Sequence, residues 1–400
     1  MESMQVEQQD EPAPPRLLLK LVSAGFAFFV AGLNDGSLGA LIPYIRKSYH
    51  IDTNLVSVVY GTTFLGWLIA ALSNSYLGQY LNLGVFLALG ASLQVLAHAL
   101  RPWTPPFALF AVTFFFAALG QAYQDTYANT FVASVKAAHR WLGFIHAMYM
   151  AGCLVAPFVS TAVASSSSSV SLSVGPTAKW SLFYLAPLGL GILNLGLVVF
   201  AFRDSLGLKR RARSTGAVDA AASTRESSAV KEMWSTLSLP SVWVLSLYFF
   251  FFLGAVITAG GWIVEYLVHV RDGDLNQMGY VPAGFYGGAF LGRLLLAEPT
   301  YRVPNIVTEA VAISLLGFFS GPFFATGISV ASKLFDVGIR SSALAFIFVL
   351  GQIGGSLFPA ITGVIAARTG VKVLQPILVG LLGATGVTWL MLPKSRLHHE

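Results

Sequence analysis

The residues GTTFLGWL at positions 61–68 return as GGAFLGRL at positions 287–294, with Gly, Phe, Leu, Gly and Leu in the same places. The two copies lie 226 positions apart (287 minus 61). Both copies sit inside long apolar segments, and such a repeat is typical of chains built from two similar bundles of membrane helices. We therefore predict that the two halves of this chain share one fold.

The composition places these segments in lipid. Of the 400 residues, 55% are hydrophobic and 10% are charged, which is too little charge to cover the surface of a soluble domain. One bilayer crossing takes about 20 apolar residues. We predict an all-α integral membrane protein with 11 apolar spans, at about 17–45, 55–80, 83–100, 107–133, 141–164, 182–202, 240–268, 279–297, 306–332, 340–366 and 371–392.

Several other functional classes are excluded by composition and motif. The net charge of +6 does not indicate nucleic-acid binding, because membrane topology itself requires cationic loops. The single cysteine, Cys153, excludes an internal disulfide and a cysteine-based metal cluster. The chain contains no HExxH motif, no GxSxG in a usable context and no pair of catalytic carboxylates within one run. We predict no enzymatic activity, no metal and no cofactor.

The Lys and Arg residues predict the orientation and the domains. They concentrate in the polar segment 203–239, which favours a cytoplasmic central loop and a cytoplasmic N-terminus. The second half conflicts with strict alternation, because both segments flanking the 306–332 run look cytoplasmic. The predicted domains are a tail at 1–16, a six-helix bundle at 17–202, the loop at 203–239, a five-span bundle at 240–392 and a tail at 393–400.

The repeat offsets measure what the second half lacks. Gly32 and Tyr44 match Gly254 and Tyr266 at an offset of 222. Later in each half the offset falls, because the G-x4-P pairs Gly152/Pro157 and Gly354/Pro359 differ by 202. The difference between 226 and 202 is 24 residues, about one span plus a turn. We predict a 6 + 6 architecture whose ninth helix is missing, with the deletion near 298–305.

This architecture resembles the major facilitator superfamily. Gly143, Gly152, Ala156 and Pro157 resemble its G-x8-G-x3-G-P motif, with Ala in place of the third glycine. The loop NSYLGQY at 74–80 departs from the superfamily's charged D-R-x-G-R-[KR] signature.

Three stretches resemble a fungal branch of general-substrate or "bypass of stop codon" permeases, which is similar to the fucose:proton symporters. They are NDGSLGALIPYI at 34–45, GQAYQDTYANTFVA at 120–133 and HRWLGFIHAMY at 139–149. Small residues such as Gly61, Gly66, Gly287 and Gly292 let helices approach closely, and Pro157 and Pro359 permit bends.

Two acids stand deep in predicted membrane helices, where an ionisable residue is costly and indicates function. Asp35 lies near the middle of the first run beside Asn34. Asp125 shares a helical face with Gln121 and Asn129, at i−4 and i+4. The resemblance implies that Asp35 and Asp125 are the proton-linked and substrate-linked carboxylates. The alternatives are a structural hydrogen bond for Asp35 and, for Asp125, a carboxylate that satisfies neighbouring amides.

Other polar residues are weaker candidates. His146 is either a proton relay or a buried histidine with one hydrogen bond. Arg293 either faces the pathway or snorkels to the membrane interface. Trp262 either stacks on a sugar-type ring or belongs to an interfacial aromatic belt. Gln352 and Asn194 either bind a hydroxylated solute or pack helices together. Glu265 and Glu309, at outer ends of runs, are expected to be solvated.

The resulting hypothesis is a secondary active transporter of a small, sugar-like solute, coupled to protons and working by alternating access. The alternative is a transport-inactive truncated isoform or a nutrient sensor, which the missing helix motivates. The expected partners are the solute, protons and the lipid bilayer, without nucleic acid, and the chain is expected to be monomeric. The expected location is the plasma membrane or the vacuolar membrane.

Overall fold

The computed structural model describes residues 16–78, 80–166, 179–207, 234–302 and 337–392, together with 327–328, 330–331 and 334–335. The regular elements of these residues are helices, which confirms the all-α prediction. Eight of the described helical segments are long and apolar enough to cross a bilayer. The tails 1–15 and 393–400, residues 208–233 of the central loop, and residues 303–326, which include Glu309, lie outside the described residues.

The N-terminal half contains six helices whose bounds follow the predicted apolar runs within a few residues. They are α1 (Leu17–Tyr49), α2 (Thr53–Leu77), α3 (Leu83–Ala99), α4 (Phe107–Ala133), α5 (Ala138–Ser165) and α6 (Leu185–Ala201). Short 3-10 helices precede and follow α6, at Lys179–Tyr184 and Arg203–Ser205.

The C-terminal half contributes four long described helices, in addition to a single helical turn at Leu275–Met278. They are α7 (Pro240–Val270), α8 (Val281–Arg302), α9 (Val337–Thr369) and α10 (Leu374–Leu390). Helix α8 is longer than its predicted run and continues to Arg302, so residues 298–302 of the expected junction are helical. The remainder of that junction, 303–305, lies outside the described residues.

The packing of the helices repeats between the halves. In the first half α1 packs against α5 and α6, and in the second half α7 packs in the same way against α9 and α10. Between the halves α2 packs on α9, and α5 packs on α8. Helix α9 therefore occupies in its bundle the place that α5 occupies in the other. This confirms the pairing of Gly152/Pro157 with Gly354/Pro359.

Two glycines show why this pairing exists. A Cβ on Gly152 of α5 would collide with the carbonyl oxygen of Phe29 in α1. A Cβ on Gly354 of α9 would collide with the carbonyl oxygen of Phe250 in α7. Because the obstacle in each case is backbone, these two helix crossings require a residue without a side chain.

The glycines of the opening repeat are not all equivalent. A Cβ on Gly66 would lie 2.6 Å from the carbonyl oxygen of Phe115 in α4, so this position does require a small residue. Gly61 has open space beside it, and a Cβ on Gly287 would make only an ordinary contact at 3.4 Å. Close helix approach therefore requires a small residue at Gly66, but it does not at Gly61 or Gly287. Gly143 and Gly292 are buried.

An ion pair ties the start of α1 to the turn after α6. Lys20 Nζ lies 2.6 Å from Asp204 Oδ2, and the side chains are 7% and 42% exposed. The hydrogen bond from Lys20 lowers the pKa of Asp204 below its ordinary value of 3.8. Because Asp204 is well exposed, solvent screens this pair and its contribution to stability is small.

Candidate functional site

A cavity lies in the centre of the molecule, between the two bundles. Helices α1, α2, α4 and α5 form its wall on one side, and α7, α8 and α9 form the wall on the other. Eight of the nine residues predicted for the pathway line it: Asn34, Asp35, Gln121, Asp125, Asn129, His146, Arg293 and Gln352. Residues far apart in the sequence therefore meet at one place.

Asp35 is the most densely bonded group of this cavity. Its Oδ1 accepts a hydrogen bond from Asn34 Nδ2 at 2.9 Å. Its Oδ2 accepts from Gln121 Nε2 at 2.9 Å and from the Tyr149 hydroxyl at 2.9 Å. Three donors around one carboxyl match a carboxylate, which accepts hydrogen bonds and donates none. Tyr149 was missed as a site residue, although it closes the motif at 139–149 and lies three residues, about one turn, after His146.

Asp125 lies on the same wall, one turn beyond Gln121. Gln121, whose amide donates to Asp35, precedes Asp125 by one helical turn, and all three residues line the cavity. The predicted shared face is confirmed, because Gln121, Asp125 and Asn129 all line the cavity, and the Asn129 amide donates to the Asp125 backbone oxygen at 2.9 Å. The two acids form one electrostatic unit rather than two separate sites.

His146 and Arg293 occupy the adjoining part of the cavity. His146 Nε2 lies 3.0 Å from Asn129 Oδ1, and its ring packs edge-on against Phe28 with centroids 5.2 Å apart. Arg293 Nη1 donates to the His146 carbonyl oxygen at 3.0 Å, which joins α8 to α5 across the bundle interface. Arg293 is 3% exposed, so the alternative in which it snorkels to the membrane interface is wrong.

Trp262 is the exception among the predicted pathway residues. It is fully buried, does not line the cavity and donates from Nε1 to the Pro359 carbonyl oxygen at 3.0 Å. Both interpretations of Trp262, as a stacking platform and as a belt aromatic, are therefore wrong. The position of Trp262 in its apolar run predicted that it lies deep in the membrane-spanning part of α7. Its neighbours there are Pro359 of α9 and Tyr60 of α2, whose ring centroid lies 6.2 Å away.

Asn194 also lies away from the cavity. It is buried inside the N-terminal bundle, where its amide donates to Gln124 Oε1 at 3.4 Å. Gln94 donates to the same oxygen at 2.7 Å. This favours the packing interpretation of Asn194, since the three amides join α3, α4 and α6.

The end of the cavity at which α1 terminates, hereafter the upper end, is closed by contacts between the bundles. Glu265 of α7 is completely buried, and its Oε2 lies 2.8 Å from Arg46 Nη1 and 2.9 Å from His269 Nε2. The expectation of a solvated Glu265 is therefore wrong. A buried carboxylate requires compensating charge, and here part of it comes from the opposite bundle.

Apolar packing reinforces this closure. One buried cluster at the upper end combines side chains of both halves: Ile42, Val56 and Tyr60 with Trp262, Tyr266, Ala366, Val371 and Leu374. Tyr44 and Asn276 form a further, longer contact between the halves at 3.4 Å. Separating the bundles at this end would therefore expose apolar surface as well as break an ion pair.

Among the described residues there is no group of three His, Cys, Asp or Glu side chains placed to hold a metal ion. The chemistry that this cavity can offer is the exchange of protons at two carboxyls and hydrogen bonding by amide and hydroxyl groups.

Comparisons with known proteins agree with this architecture. A yeast relative, Bypass of stop codon protein 6 of Saccharomyces cerevisiae, is 26% identical over 433 aligned positions that cover 96% of this chain and 84% of the relative. The crystal structure of the E. coli fucose:proton symporter superimposes with a TM-score of 0.65 at 15% identity, covering 96% of this chain and 100% of the other. A D-xylose–proton symporter gives a TM-score of 0.70 at 12% identity, covering 95% and 99%.

The two solved structures show the likeness of fold. The family model of the Major Facilitator Superfamily matches residues 24–307, which is more than half of the chain. The chain therefore belongs to the major facilitator superfamily, and it is a multi-pass membrane transporter rather than an enzyme.

Proposed function

We propose that this protein is a secondary active carrier that moves a small hydroxylated solute by alternating access and couples this movement to protons through Asp35 and Asp125. The observation that carries the proposal is that the carboxyls of Asp35 and Asp125 line one cavity, where the Gln121 amide donates to Asp35 at 2.9 Å. A carboxyl that is buried in one state of a carrier and wet in another changes its proton affinity between the states. Two such groups that sense each other can exchange a proton as access alternates.

The remaining walls favour a sugar-like solute. Amide and hydroxyl groups of Gln121, Asn129, Gln352 and Ser356 are available around the cavity. Aromatic rings of Tyr149, Tyr286 and Phe348 lie among them. A hydroxylated sugar ring needs both polar groups and aromatic rings around it, because its edges form hydrogen bonds while its faces pack on apolar surface. The two structural neighbours named for fucose and D-xylose support the same solute class.

The contacts at the upper end support the transport cycle. The Arg46–Glu265 ion pair and the shared apolar cluster must separate before a solute can enter or leave there. We propose that the upper end faces away from the cytoplasm, that the N-terminus is cytoplasmic, that the protein acts as a monomer, and that it resides in the plasma or vacuolar membrane.

We also propose the domain boundaries 17–202 and 240–392, with a helix missing near 298–305. The placement of α9 and α10 as counterparts of α5 and α6 supports this division. The alignment with the yeast relative is longer than the 400-residue chain, so the relative contains residues without counterparts here. Sequencing the transcript across 302–303 tests the deletion, and side-specific labelling of Lys394 tests whether the C-terminus has changed sides.

The transport proposal is tested with the purified full chain in liposomes that enclose a pH-sensitive dye. L-fucose and D-xylose are added outside as probes. We expect acidification of the lumen that depends on the sugar, and its loss in Asp35→Asn and Asp125→Asn. Asp204→Asn is the matched control, because it removes an acid outside the cavity and should behave as the parent.

Three outcomes would contradict parts of the proposal. Unchanged proton movement in both cavity variants would show that the coupling assignment is wrong. Uptake of radiolabelled sugar without proton movement would show a carrier that is not coupled. Absence of uptake across a panel of monosaccharides would contradict the sugar class, and absence of uptake for any small solute would favour the transport-inactive alternative.

A further inference from the structure

Arg101 is a cation close to Asp35 that the proposed transport mechanism does not involve. Arg101 lies two residues after the end of α3, and by its position it belongs to the segment between the predicted spans 83–100 and 107–133. In the structure its side chain is completely buried within the N-terminal bundle. Burying a guanidinium there costs free energy unless hydrogen bonds compensate for the lost water, and such a buried charge indicates a function.

The contacts of Arg101 are specific. Its Nη1 donates to Asn34 Oδ1 at 2.7 Å, and its Nε donates to Thr113 Oγ1 at 2.8 Å. The guanidinium carbon lies 3.9 Å from the ring centroid of Phe114 and 4.8 Å from that of Tyr184, in cation–π geometry. The planar group is therefore held on its edges and on its faces, with little freedom to move.

Anchoring of the loop does not account for this arrangement. The same loop is already tied down by the Ser181 hydroxyl, which donates to the Pro102 carbonyl at 2.6 Å. The Tyr49 hydroxyl donates to the Pro105 carbonyl at 2.7 Å. The bond from Arg101 instead reaches α1 at the residue next to Asp35.

The direction of the hydrogen bonds follows from the chemistry of the three groups. A guanidinium only donates, so the Asn34 side chain must turn its oxygen toward Arg101. Its NH₂ group then faces Asp35 Oδ1 and can only donate to it. A proton on Oδ1 would compete with this donor, so the oriented Asn34 amide favours the ionised form of Asp35.

We propose that Arg101 is a positioning residue that, through Asn34, holds the Asp35 carboxyl as a hydrogen-bond acceptor and so favours its ionised form. This role rests on the proposed proton coupling and refines it, because it names the residue that orients a donor on the coupling carboxyl. The charge of Arg101 and the donor that it orients act in the same direction, since both favour the carboxylate.

Other ionisable groups also act on these residues. Asp125 of α4, Tyr149 and Cys153 of α5 and Tyr286 of α8 sense the charge of Asp35. His98 of α3 and Tyr184 sense the charge of Arg101. All of them remain in the variants below, so differences between those variants report on the Arg101–Asn34–Asp35 chain.

The test is an infrared titration of the reconstituted full chain, which needs no transported solute. The carboxyl C=O band of Asp35 is identified as the band absent from Asp35→Asn. We expect Arg101→Gln to raise the midpoint of that band by roughly one pH unit. Asn34→Leu, which retains the cation and removes the link, should raise it by less. Thr113→Val, which removes the other bond of Arg101, should leave it unchanged.

The outcomes separate this proposal from the transport proposal. An Asp35 midpoint that is the same in the parent, Arg101→Gln and Asn34→Leu overturns the role of Arg101, whether or not uptake is proton-coupled. A shifted midpoint in a protein that shows no sugar-driven proton movement supports Arg101 and contradicts the transport proposal. If Arg101→Gln fails to fold, Asn34→Leu decides alone. A parent without a titrating Asp35 band overturns both.

Discussion

The two halves of this protein share a fold, but the side chains that they present to the cavity differ in charge. Gly152 and Gly354 solve the same packing problem at equivalent crossings. At the offset of 222 that relates α1 to α7, the counterpart of Asp35 is Ile257, and both residues line the cavity. The repeat therefore preserved the backbone contacts, while the acids developed in one half. A solute between the bundles meets an acidic wall on one side and a more apolar wall, with Arg293 and Gln352, on the other.

The largest expected effect comes from making the two walls alike. Asp35→Ile places in α1 the residue that its counterpart has in α7, and it removes the carboxyl to which three donors are directed. We expect sugar-driven proton movement in liposomes to fall to background. Ile257→Val, a small change on the opposite wall, should retain it. Proton movement by Asp35→Ile at the parent rate would show that the acidic wall is not the coupling element.

The second effect tests the packing that the halves share. Gly152→Ala and Gly354→Ala each place a Cβ against backbone, and we expect each to lower stability by about 1–3 kcal/mol. The controls are Gly189→Ala and Gly383→Ala, which lie at open positions of α6 and α10 and should be neutral or slightly stabilising. Thermal unfolding in detergent measures all four. A large loss in one half only would show that the two crossings are not equivalent.

The third effect concerns the contact by which the halves close the upper end. Glu265→Gln removes the charge that pairs with Arg46, and we expect the upper end to open more often. Cys153 is the only cysteine of the chain, is buried and lines the cavity. Its labelling by a membrane-impermeant maleimide should therefore become several-fold faster.

The matched control for this experiment is Lys47→Gln, which removes an exposed charge beside Arg46. It should leave the labelling rate of Cys153 unchanged. Equal rates in the parent and in Glu265→Gln would indicate that the apolar cluster alone keeps the upper end closed.

The smallest effect is expected at the opposite end of α1. Asp204→Asn should lower the free energy of unfolding by less than about 1 kcal/mol at neutral pH, because Asp204 is exposed and solvent screens its ion pair with Lys20. The lowered pKa of Asp204 means that its stabilisation is complete above the ordinary carboxyl pKa of 3.8 and is lost as the pH falls through the folded-state pKa. Unfolding midpoints of parent and variant should begin to converge as the pH falls below 3.8 and should coincide below the folded-state pKa, and a difference that persists below that pKa would contradict the ion-pair explanation.

Most of the helices could be predicted because lipid imposes simple requirements. A span needs a minimum length of apolar residues, so the bounds of α4 at 107–133 agree with the predicted run to the residue. The deep acids could also be predicted, since a carboxyl in the middle of a span is rare. Periodicity along one helix reports depth and face, but it does not report which helix of the other bundle lies opposite.

The failures follow from that missing information. Glu265 stands near the end of its run and therefore looks solvated, yet Arg46, 219 positions earlier, covers it. Trp262 stands at the depth of the cavity, yet it faces Tyr60 and Pro359 instead. Arg101 stands in a loop by its position in the sequence, yet the chain folds back into the bundle and buries it.

The sequence by itself therefore determined that this protein lies in a lipid bilayer, where its helices run, that its two halves repeat, and that Asp35 and Asp125 lie deep in the first half. Each of these depends on local composition or on spacing along one chain. Only the tertiary structure decided which of these groups meet. The bonds from Gln121 and Tyr149 to Asp35, the pair of Glu265 with Arg46 and the bond from Arg101 to Asn34 join residues tens to hundreds of positions apart. Their energies depend on distance in space and on exclusion of water, and neither can be read along the chain.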